Sequence, residues 1–314
     1  MDSAVQSSRG HEGRFRESVP FSAFLRWLGR VSLDRKGGGP GPWSYTVCWA
    51  LLCLTVISWG GQEVAATEKP VSKSSVIAAE KTYLDDWTEF RGGSMLRGHR
   101  TGKTTDHPRL RWIYDAQAAI ESTAAIVDSR VYVGTGEKGL IALKLDPATK
   151  KGEVLWTFKV EFGIRSSAGV RDGRVFFGDD LGVFWAVDAK RGEQVWKFDT
   201  DTGSEIISSP TFFGDRLVFG SYDAMLYCLD RPKGELQWKF PTDGPVHCTP
   251  AVSHGYTFIA GCDEQLRTVA LADGKQTTAL PLGSYSAASP AVLNDRLFVG
   301  TLGNQVTCIR WHGG

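Results

Sequence analysis

Three ionisable residues recur at one point of a repeated pattern and are the first candidates for a binding site. Glu121, Arg165 and His247 each stand directly before a short segment rich in Ser, Thr and Pro. A carboxylate, a guanidinium and an imidazole can together hold a small polar ligand or a peptide segment. Two further copies carry Ile207 and Ala287 at this position. The alternative interpretation is a solvated rim without a function.

Two cysteines flank one hairpin of the repeat. Cys248 and Cys262 lie nearly opposite each other around the His254-Gly255 turn, so a cross-strand disulfide is possible in an oxidising compartment. Two buried thiols are the alternative. Cys228 and Cys308 occupy equivalent points two copies apart, which is too distant for a bridge in any regular ring of repeats.

The sequence lacks the common catalytic motifs. It has no Cys-x-x-Cys-His for covalent haem, no Gly-x-Ser-x-Gly nucleophile elbow and no His-Glu-x-x-His zinc site. Asp179, Asp180, Asp223 and Asp263 follow the second strand of their copies, where Asp is favoured for hydrogen bonds to nearby backbone. We therefore interpret them as turn residues rather than metal ligands. The net charge of +1 gives no electrostatic footprint for nucleic acid.

The elements that must position these residues are copies of one unit. Pro210, Pro250 and Pro290 stand 40 residues apart, and earlier copies begin near Ser122 and Ser166. Each copy holds short apolar runs separated by tight polar turns, which is typical of strands. Four strands in about forty residues, without helical periodicity, predict a β-propeller blade. The sequence therefore predicts an all-β propeller of about five four-stranded blades.

Tryptophans recur in the same repeat. Trp156, Trp196 and Trp238 are spaced by 40 and 42 residues, each after a glycine turn. A large flat side chain at a fixed point of each blade can bury against the neighbouring blade, so we predict a structural docking role. A stacking platform for a sugar or a quinone is the alternative.

The glycine turns with their tryptophans carry a family resemblance. Residues 186–196 (AVDAKRGEQVW) and 228–238 (CLDRPKGELQW) resemble the tryptophan-docking motif of propeller repeats of the pyrroloquinoline-quinone (PQQ) type. The copy at 142–156 carries extra residues, and the copy at 269–278 has Thr278 where Trp is expected. The resemblance covers residues 85–314. Its family includes quinoprotein dehydrogenases, the propeller lipoprotein of the outer-membrane barrel-assembly machinery, and sensor domains.

The resemblance does not carry a cofactor with it. Quinoprotein dehydrogenases have a disulfide between adjacent cysteines beside the quinone, and acidic calcium ligands, on a longer eight-bladed ring. This sequence has no Cys-Cys pair and roughly half that length. We expect no cofactor, with PQQ and calcium as the alternative.

Two features concern the ends of the ring. The last copy reaches Cys308–Trp311 without a fourth strand, whereas Leu110–Tyr114 resembles a fourth strand without a blade. Either these two pair and close a five-bladed ring, or the chain is a truncated relative of a larger ring. A Trp-x-x-Phe-Arg-Gly motif within 85–93 precedes the propeller and is expected to cover a blade face or edge.

The N-terminal part predicts export. Residues 1–43 form a polar disordered extension, 44–66 a signal peptide or signal anchor, 67–84 a linker and 85–314 the propeller. The uncharged run Tyr45–Trp59 is shorter than a membrane-spanning helix requires, and Val64-Ala65-Ala66 offers a cleavage site. We expect a location in the periplasm or cell envelope, with membrane attachment only if this segment stays uncleaved.

These observations predict a non-catalytic, exported propeller that serves as a scaffold for a protein partner or a small polar ligand. One alternative is a degenerate or truncated PQQ-dependent oxidoreductase. Another is an extracytoplasmic sensor domain of a signalling protein. No nucleic acid partner is expected.

Overall fold

The apolar runs of each copy fold as antiparallel strands joined by tight turns. The computed structural model describes residues 86–99, 107, 109–145 and 152–311, and within them nineteen strands form five sheets. The loop between the first and second strands holds Asp172-Gly173 in one copy and His254-Gly255 in another, all at positive φ. Two-residue hairpin loops of this kind match the twist of the flanking strands.

The strands follow the chain in order, and each sheet is one blade. Blade 1 has β1 Ala125–Val127, β2 Arg130–Thr135, β3 Gly139–Lys144 and β4 Glu153–Phe158. Blade 2 has β5 Gly169–Arg171, β6 Arg174–Gly178, β7 Val183–Asp188 and β8 Gln194–Asp199. Blade 3 has β9 Thr211–Phe213, β10 Arg216–Ser221, β11 Met225–Asp230 and β12 Leu236–Pro241. Blade 4 has β13 Ala251–Ser253, β14 Tyr256–Ala260, β15 Gln265–Ala270 and β16 Gln276–Pro281, and blade 5 has β17 Ala291–Leu293, β18 Arg296–Thr301 and β19 Gln305–Arg310.

Each blade is a simple meander in which neighbouring strands along the chain pair with one another. The first strands of adjacent blades contact each other, as β1 does with β5 and β13 does with β17. These short strands therefore surround the axis of the ring, and the later strands lie progressively farther out. The predicted all-β propeller of about five blades is confirmed, with four strands in blades 1 to 4 and three in blade 5.

A chain of hydrogen bonds links the blades beside the axis. The backbone N–H of Thr123 donates to the Oγ of Ser167, at 2.9 Å. The Ser167 N–H donates to Ser209 Oγ at 2.9 Å, and the Ser209 N–H to Thr249 Oγ1 at 3.1 Å. The Thr249 N–H donates to Ser289 Oγ at 2.9 Å. We call this series the axial hydroxyl belt, and it couples all five blades.

The repeated tryptophans lie between blades. A side chain at Gly234 of blade 3 would collide with the Trp196 ring of blade 2, and the Trp196 Nε1 donates to the Arg231 carbonyl at 3.1 Å. Gly234 has a φ of +78°, so glycine serves both the turn and the close approach of the ring. Trp156 with Gly192 and Trp238 with Gly274 repeat this arrangement.

The segment 109–116 before blade 1, predicted as a fourth strand at Leu110–Tyr114, forms no strand, but its side chains pack against the glycine turn of blade 1 as the docking tryptophans do at other blade junctions. Trp112 and Tyr114 pack beside Gly152, which is the blade 1 counterpart of Gly234. Their rings join the apolar cluster that includes Val133 and Leu143 of blade 1. Within the described residues, however, β19 pairs with β18 alone. The two halves of a possible closing blade therefore stay apart, and the ring is open.

The residues carrying the Trp-x-x-Phe-Arg-Gly motif lie along the innermost strands. We call residues 86–98 the leading segment; it includes a short 3-10 turn at Phe90–Gly92. Its backbone carbonyls accept hydrogen bonds from the middle residue of the first strand in four blades. The pairs are Trp87 with Ile126, Thr88 with Val170, Ser94 with Val252 and Met95 with Val292, at 2.7 to 2.9 Å. The segment therefore covers the inner edges of blades 1, 2, 4 and 5.

No helix within the described ranges is long and apolar enough to cross a membrane. The predicted extension 1–43, signal segment 44–66 and linker 67–84 lie outside those ranges.

Candidate channel-mouth site

The loops that precede the innermost strands are fixed by backbone hydrogen bonds to the ends of the second strands. The Asp180 N–H donates to the Gly163 carbonyl, and the Tyr222 N–H donates to the Glu205 carbonyl, each at 3.0 Å. The same pattern recurs in blade 4, where the Cys262 N–H donates to the Pro245 carbonyl at 3.4 Å. This repeated pairing places two sets of side chains together at one end of the axis. One set comes from the loops before the innermost strands, and the other comes from the turns after the second strands.

Arg165 joins blade 2 to blade 3 at this end. Its Nε lies 3.0 Å from Asp180 Oδ1, and its Nη2 lies 3.0 Å from Glu205 Oε1. Burial alone would lower the pKa of Arg165, but the hydrogen bond and charge of Asp180, together with Glu205, raise it. Burial raises the pKa of the Asp180 carboxyl despite the opposing hydrogen bond and charge of Arg165, with Glu205 and Asp179 adding to the increase.

His247 lies in the same neighbourhood, beside Tyr222. The Tyr222 Oη and His247 Nδ1 are 2.6 Å apart and share one hydrogen bond. Burial, assisted by the charge of Arg165, lowers the pKa of His247, so the imidazole is neutral at neutral pH. Burial also raises the pKa of Tyr222, with the charges of Cys262 and Glu205 acting in the same direction. Both partners of this hydrogen bond are therefore uncharged.

The structure brings two of the three sequence candidates together. Arg165 and His247 belong to one cluster, whereas Glu121 is exposed and Arg165 makes its ion pairs with other carboxylates. Glu205 and Tyr222 stand outside the position that was compared between copies and were not predicted, whereas Asp180 was interpreted as a turn residue and pairs with Arg165 instead. A second periodic position, shortly after the second strand of each copy, holds Asp180 and Tyr222 and could have pointed to both. We call Arg165, Asp180, Glu205, Tyr222 and His247 the mouth cluster.

Asp179 and Asp223 make hydrogen bonds within their own turns. Asp179 Oδ1 accepts hydrogen bonds from the backbone N–H groups of Leu181 and Val183, at 3.0 and 2.9 Å. Asp223 accepts from the Met225 N–H and from the Tyr227 hydroxyl. These hydrogen bonds agree with the interpretation as turn residues. Over the described stretches, no group of three or more His, Cys, Asp or Glu side chains is arranged to hold a metal ion.

Cys248 and Cys262 are both free thiols in this structure, so the disulfide between them stays a prediction. Cys248 occupies a position that is serine in other blades. Its Sγ accepts a hydrogen bond from the Ala260 N–H at 3.4 Å, as the Oγ of Ser166 does from Gly178 at 2.9 Å. Burial raises the pKa of the Cys248 thiol to about 12, which makes it a poor nucleophile.

Comparison with known proteins agrees with this architecture. Residues 104–211 and 199–314 match the model of the family described as outer membrane protein assembly factor BamB. The crystal structure of BamB from Moraxella catarrhalis superposes with a TM-score of 0.55 and 21% identity, covering 64% of this chain and 61% of that one. No curated protein matches the chain.

Two further solved structures share the fold at lower identity. The quinohemoprotein alcohol dehydrogenase ADHIIG from Pseudomonas putida HK5 gives a TM-score of 0.56 at 15% identity, over 72% of this chain and 46% of that one. The computationally designed Ika8 protein gives 0.53 at 15% identity, over 60% and 57%. The chain therefore spans less than two thirds of each of these structures. The match of the family model to two overlapping stretches, carried by the repeated blades, shows that the chain belongs to the family of the outer membrane protein assembly factor BamB.

Proposed function

We propose that this chain is an exported, non-catalytic propeller scaffold that binds a protein segment at the mouth cluster. The observation that carries the proposal is the geometry of Arg165, which is held by Asp180 and Glu205 at 3.0 Å each. Beside it, Tyr222 and His247 form an uncharged hydrogen-bonded pair. These groups lie on loops and turns that backbone hydrogen bonds hold in place before any partner arrives, which reduces the entropic cost of binding.

The charges of the cluster indicate the chemistry of the partner. One guanidinium faces two carboxylates, and the aromatic pair adds no charge when its members are neutral. The Glu205 side chain is 44% exposed, more than Arg165 at 27% or Asp180 at 19%, so a carboxylate is the most accessible charged group. A segment that presents a Lys or Arg side chain, or backbone N–H groups, complements this arrangement.

The leading segment supports a function without PQQ. Its backbone lies along the inner strands of blades 1, 2, 4 and 5, which surround the axis. Leu96 within it is 2% exposed and packs with Ala251 and Val292. A planar quinone on the axis would have to displace this packed backbone. This arrangement supports the expectation of no cofactor, and we derive no redox step.

The family relationship supports a protein partner in the cell envelope. Its model is named for an outer membrane protein assembly factor, and a factor of that kind acts on other proteins. The apolar run 45–59 with its small-residue cleavage site supports export.

The test is affinity capture from an envelope extract with quantitative mass spectrometry. The site variant combines Glu205→Gln, Arg165→Gln and His247→Gln. The control combines Glu193→Gln, Arg191→Gln and His254→Gln, which changes the same residue types at exposed positions away from the cluster. We expect the amount of captured partner to fall by about tenfold or more with the site variant and to stay unchanged with the control. Equal capture by both variants would remove the mouth cluster from the function.

Calorimetry tests the expected lack of a cofactor separately. The folded chain is titrated with PQQ in the presence of calcium. We expect no saturable heat. Saturable binding at about micromolar affinity or tighter would contradict the scaffold function and support the oxidoreductase alternative.

A further inference from the structure

One blade junction lacks the indole that the others share. In blades 1 to 3 the fourth strand places a tryptophan opposite a small residue of the third strand, as Trp196 lies opposite Ala186 and Trp238 opposite Cys228. In blade 4 this position is Thr278, opposite Thr268. All six residues of β16 are exposed, whereas Trp196 in β8 is 8% exposed. The junction of blades 4 and 5 is therefore built differently.

Trp311 of blade 5 takes over part of the missing contact. The backbone N–H of Trp311 donates to the Asp295 carbonyl at 2.9 Å, as the backbone N–H of Leu271 does to the Gly255 carbonyl. Trp311 therefore stands where blade 4 has Leu271. The Trp311 ring reaches back to Phe258 with a centroid distance of 4.8 Å. The corresponding contact between Trp196 and Phe176 measures 5.7 Å. The Trp311 indole is thus a partial replacement, because it contacts Phe258 but leaves space beside Thr278.

The replacement leaves a cavity of about 470 Å³ between the two blades. Leu266, Leu297 and Ile309 form its apolar walls, Tyr256 and Trp311 form its aromatic walls, and Thr278 contributes a polar atom. This volume and this mixture of many apolar and few polar groups are those of small-molecule sites. Thr278 and Leu280 are exposed, so the cavity is reached from solvent.

We propose that this cavity binds a small planar bicyclic aromatic molecule of the indole type. The argument is that the chain itself fills the equivalent place with an indole at three other junctions. There the ring N–H donates to a carbonyl of the following blade, with the Trp238 Nε1 lying 3.0 Å from Leu271 O. At the junction of blades 4 and 5 the equivalent acceptor is the Trp311 carbonyl, which no Trp at position 278 claims.

Polar groups around the cavity complete the chemistry. The buried Trp311 Nε1 has no hydrogen-bond partner among the described residues. A buried donor without a partner is costly, and a ligand oxygen or π-face can satisfy it. Arg310 is exposed and already paired with Asp295 at 3.3 Å, so it does not demand an anion. The site thus selects a neutral aromatic ring with an N–H, independently of what binds at the mouth cluster.

The test is a fluorine NMR titration of fluoroindole with the full chain. We expect saturable shifts or broadening, with a Kd on the order of 1 mM or tighter. Thr278→Trp restores the docking indole and fills the place of the ligand, so its affinity should fall by about tenfold or more. Gln276→Trp adds the same side chain two residues away on β16, outside the cavity lining, and should bind as the unmodified chain does.

Two results would overturn the proposal. The first is the lack of saturable binding to the unmodified chain, which needs no variant to interpret. The second is equal binding by the Thr278→Trp and Gln276→Trp variants. Circular dichroism establishes that each variant is folded, and Leu280→Trp, from the same wall, serves as a second blocking variant if Thr278→Trp does not fold.

Discussion

The backbone N–H of Ser167 in blade 2 donates to the Oγ of Ser209 in blade 3, at 2.9 Å. Both residues are buried, at 5% and 3% exposure. This is one link of the axial hydroxyl belt, which uses backbone donors and side-chain acceptors just before the first strands of neighbouring blades. Since a buried N–H without a partner is costly, each link ties the position of one blade to that of the next.

Removing one acceptor of the belt should destabilise the propeller. We expect Ser209→Ala to cost about 1–3 kcal/mol, because the Ser167 N–H is left buried without a partner. Ser209→Thr is the control, since Thr249 holds the equivalent position in blade 4 and accepts from Ser209. The measurement is urea unfolding followed by circular dichroism. An equal loss in both variants would show that packing volume, rather than the hydrogen bond, sets the cost.

The contact of Gly234 with Trp196 should appear as a difference between two glycine substitutions. Gly234→Ala and Gly173→Ala both place a side chain at positive φ, at +78° and +71°. A Cβ at Gly234 would lie 2.5 Å from the Trp196 ring, whereas a Cβ at Gly173 meets nothing within 4 Å. We expect Gly234→Ala to cost about 1–3 kcal/mol more than Gly173→Ala, from overpacking. Chemical denaturation curves of the two variants measure the difference in their free energies of unfolding. Similar losses in both variants would refute the docking role of Trp196.

The leading segment should contribute to the stability of the ring. Leu96 is 2% exposed and packs with residues of blades 4 and 5, while its neighbour Arg97 is exposed. We expect Leu96→Ala to lower the free energy of unfolding by about 2–5 kcal/mol, as for other buried leucines. Arg97→Ala should change it by less than about 0.5 kcal/mol. Limited proteolysis should also cut residues 86–98 faster in the leucine variant, and unchanged cleavage would contradict the packing described.

Acidification should weaken the native state through His247. Its pKa is lowered in the folded chain relative to the ordinary value of 6.5, mainly by burial. The unfolded chain therefore binds a proton first as the pH falls through the ordinary pKa, and this His contributes a loss of stability below that point. We expect the free energy of unfolding to fall less in His247→Gln than in the unmodified chain between about pH 7.5 and about pH 5.5. The measurement is the free energy of unfolding of both proteins as a function of pH. Parallel curves would show that His247 is not responsible for the loss of stability in acid.

The architecture could be predicted because it is local and repeated. Tryptophans at constant spacing and glycines in fixed turns belong to single copies, so comparison of the copies was sufficient. The mouth cluster was found only in part, since Glu205 belongs to blade 3 and reaches Arg165 of blade 2 across a blade boundary. The path of the leading segment joins Met95 to Val292, a pairing between distant parts of the sequence that no periodicity encodes.

That pairing has a consequence for how the protein folds. Meanders and neighbouring blades can form in chain order, because their contacts are short in sequence and carry little loop-closure entropy. The carbonyls of Ser94 and Met95 must instead wait until β13 and β17 exist. The leading segment can therefore complete its hydrogen bonds only after the last blades have formed. Until the leading segment binds, the innermost strands of the newly formed blades are exposed edges that can pair with other chains.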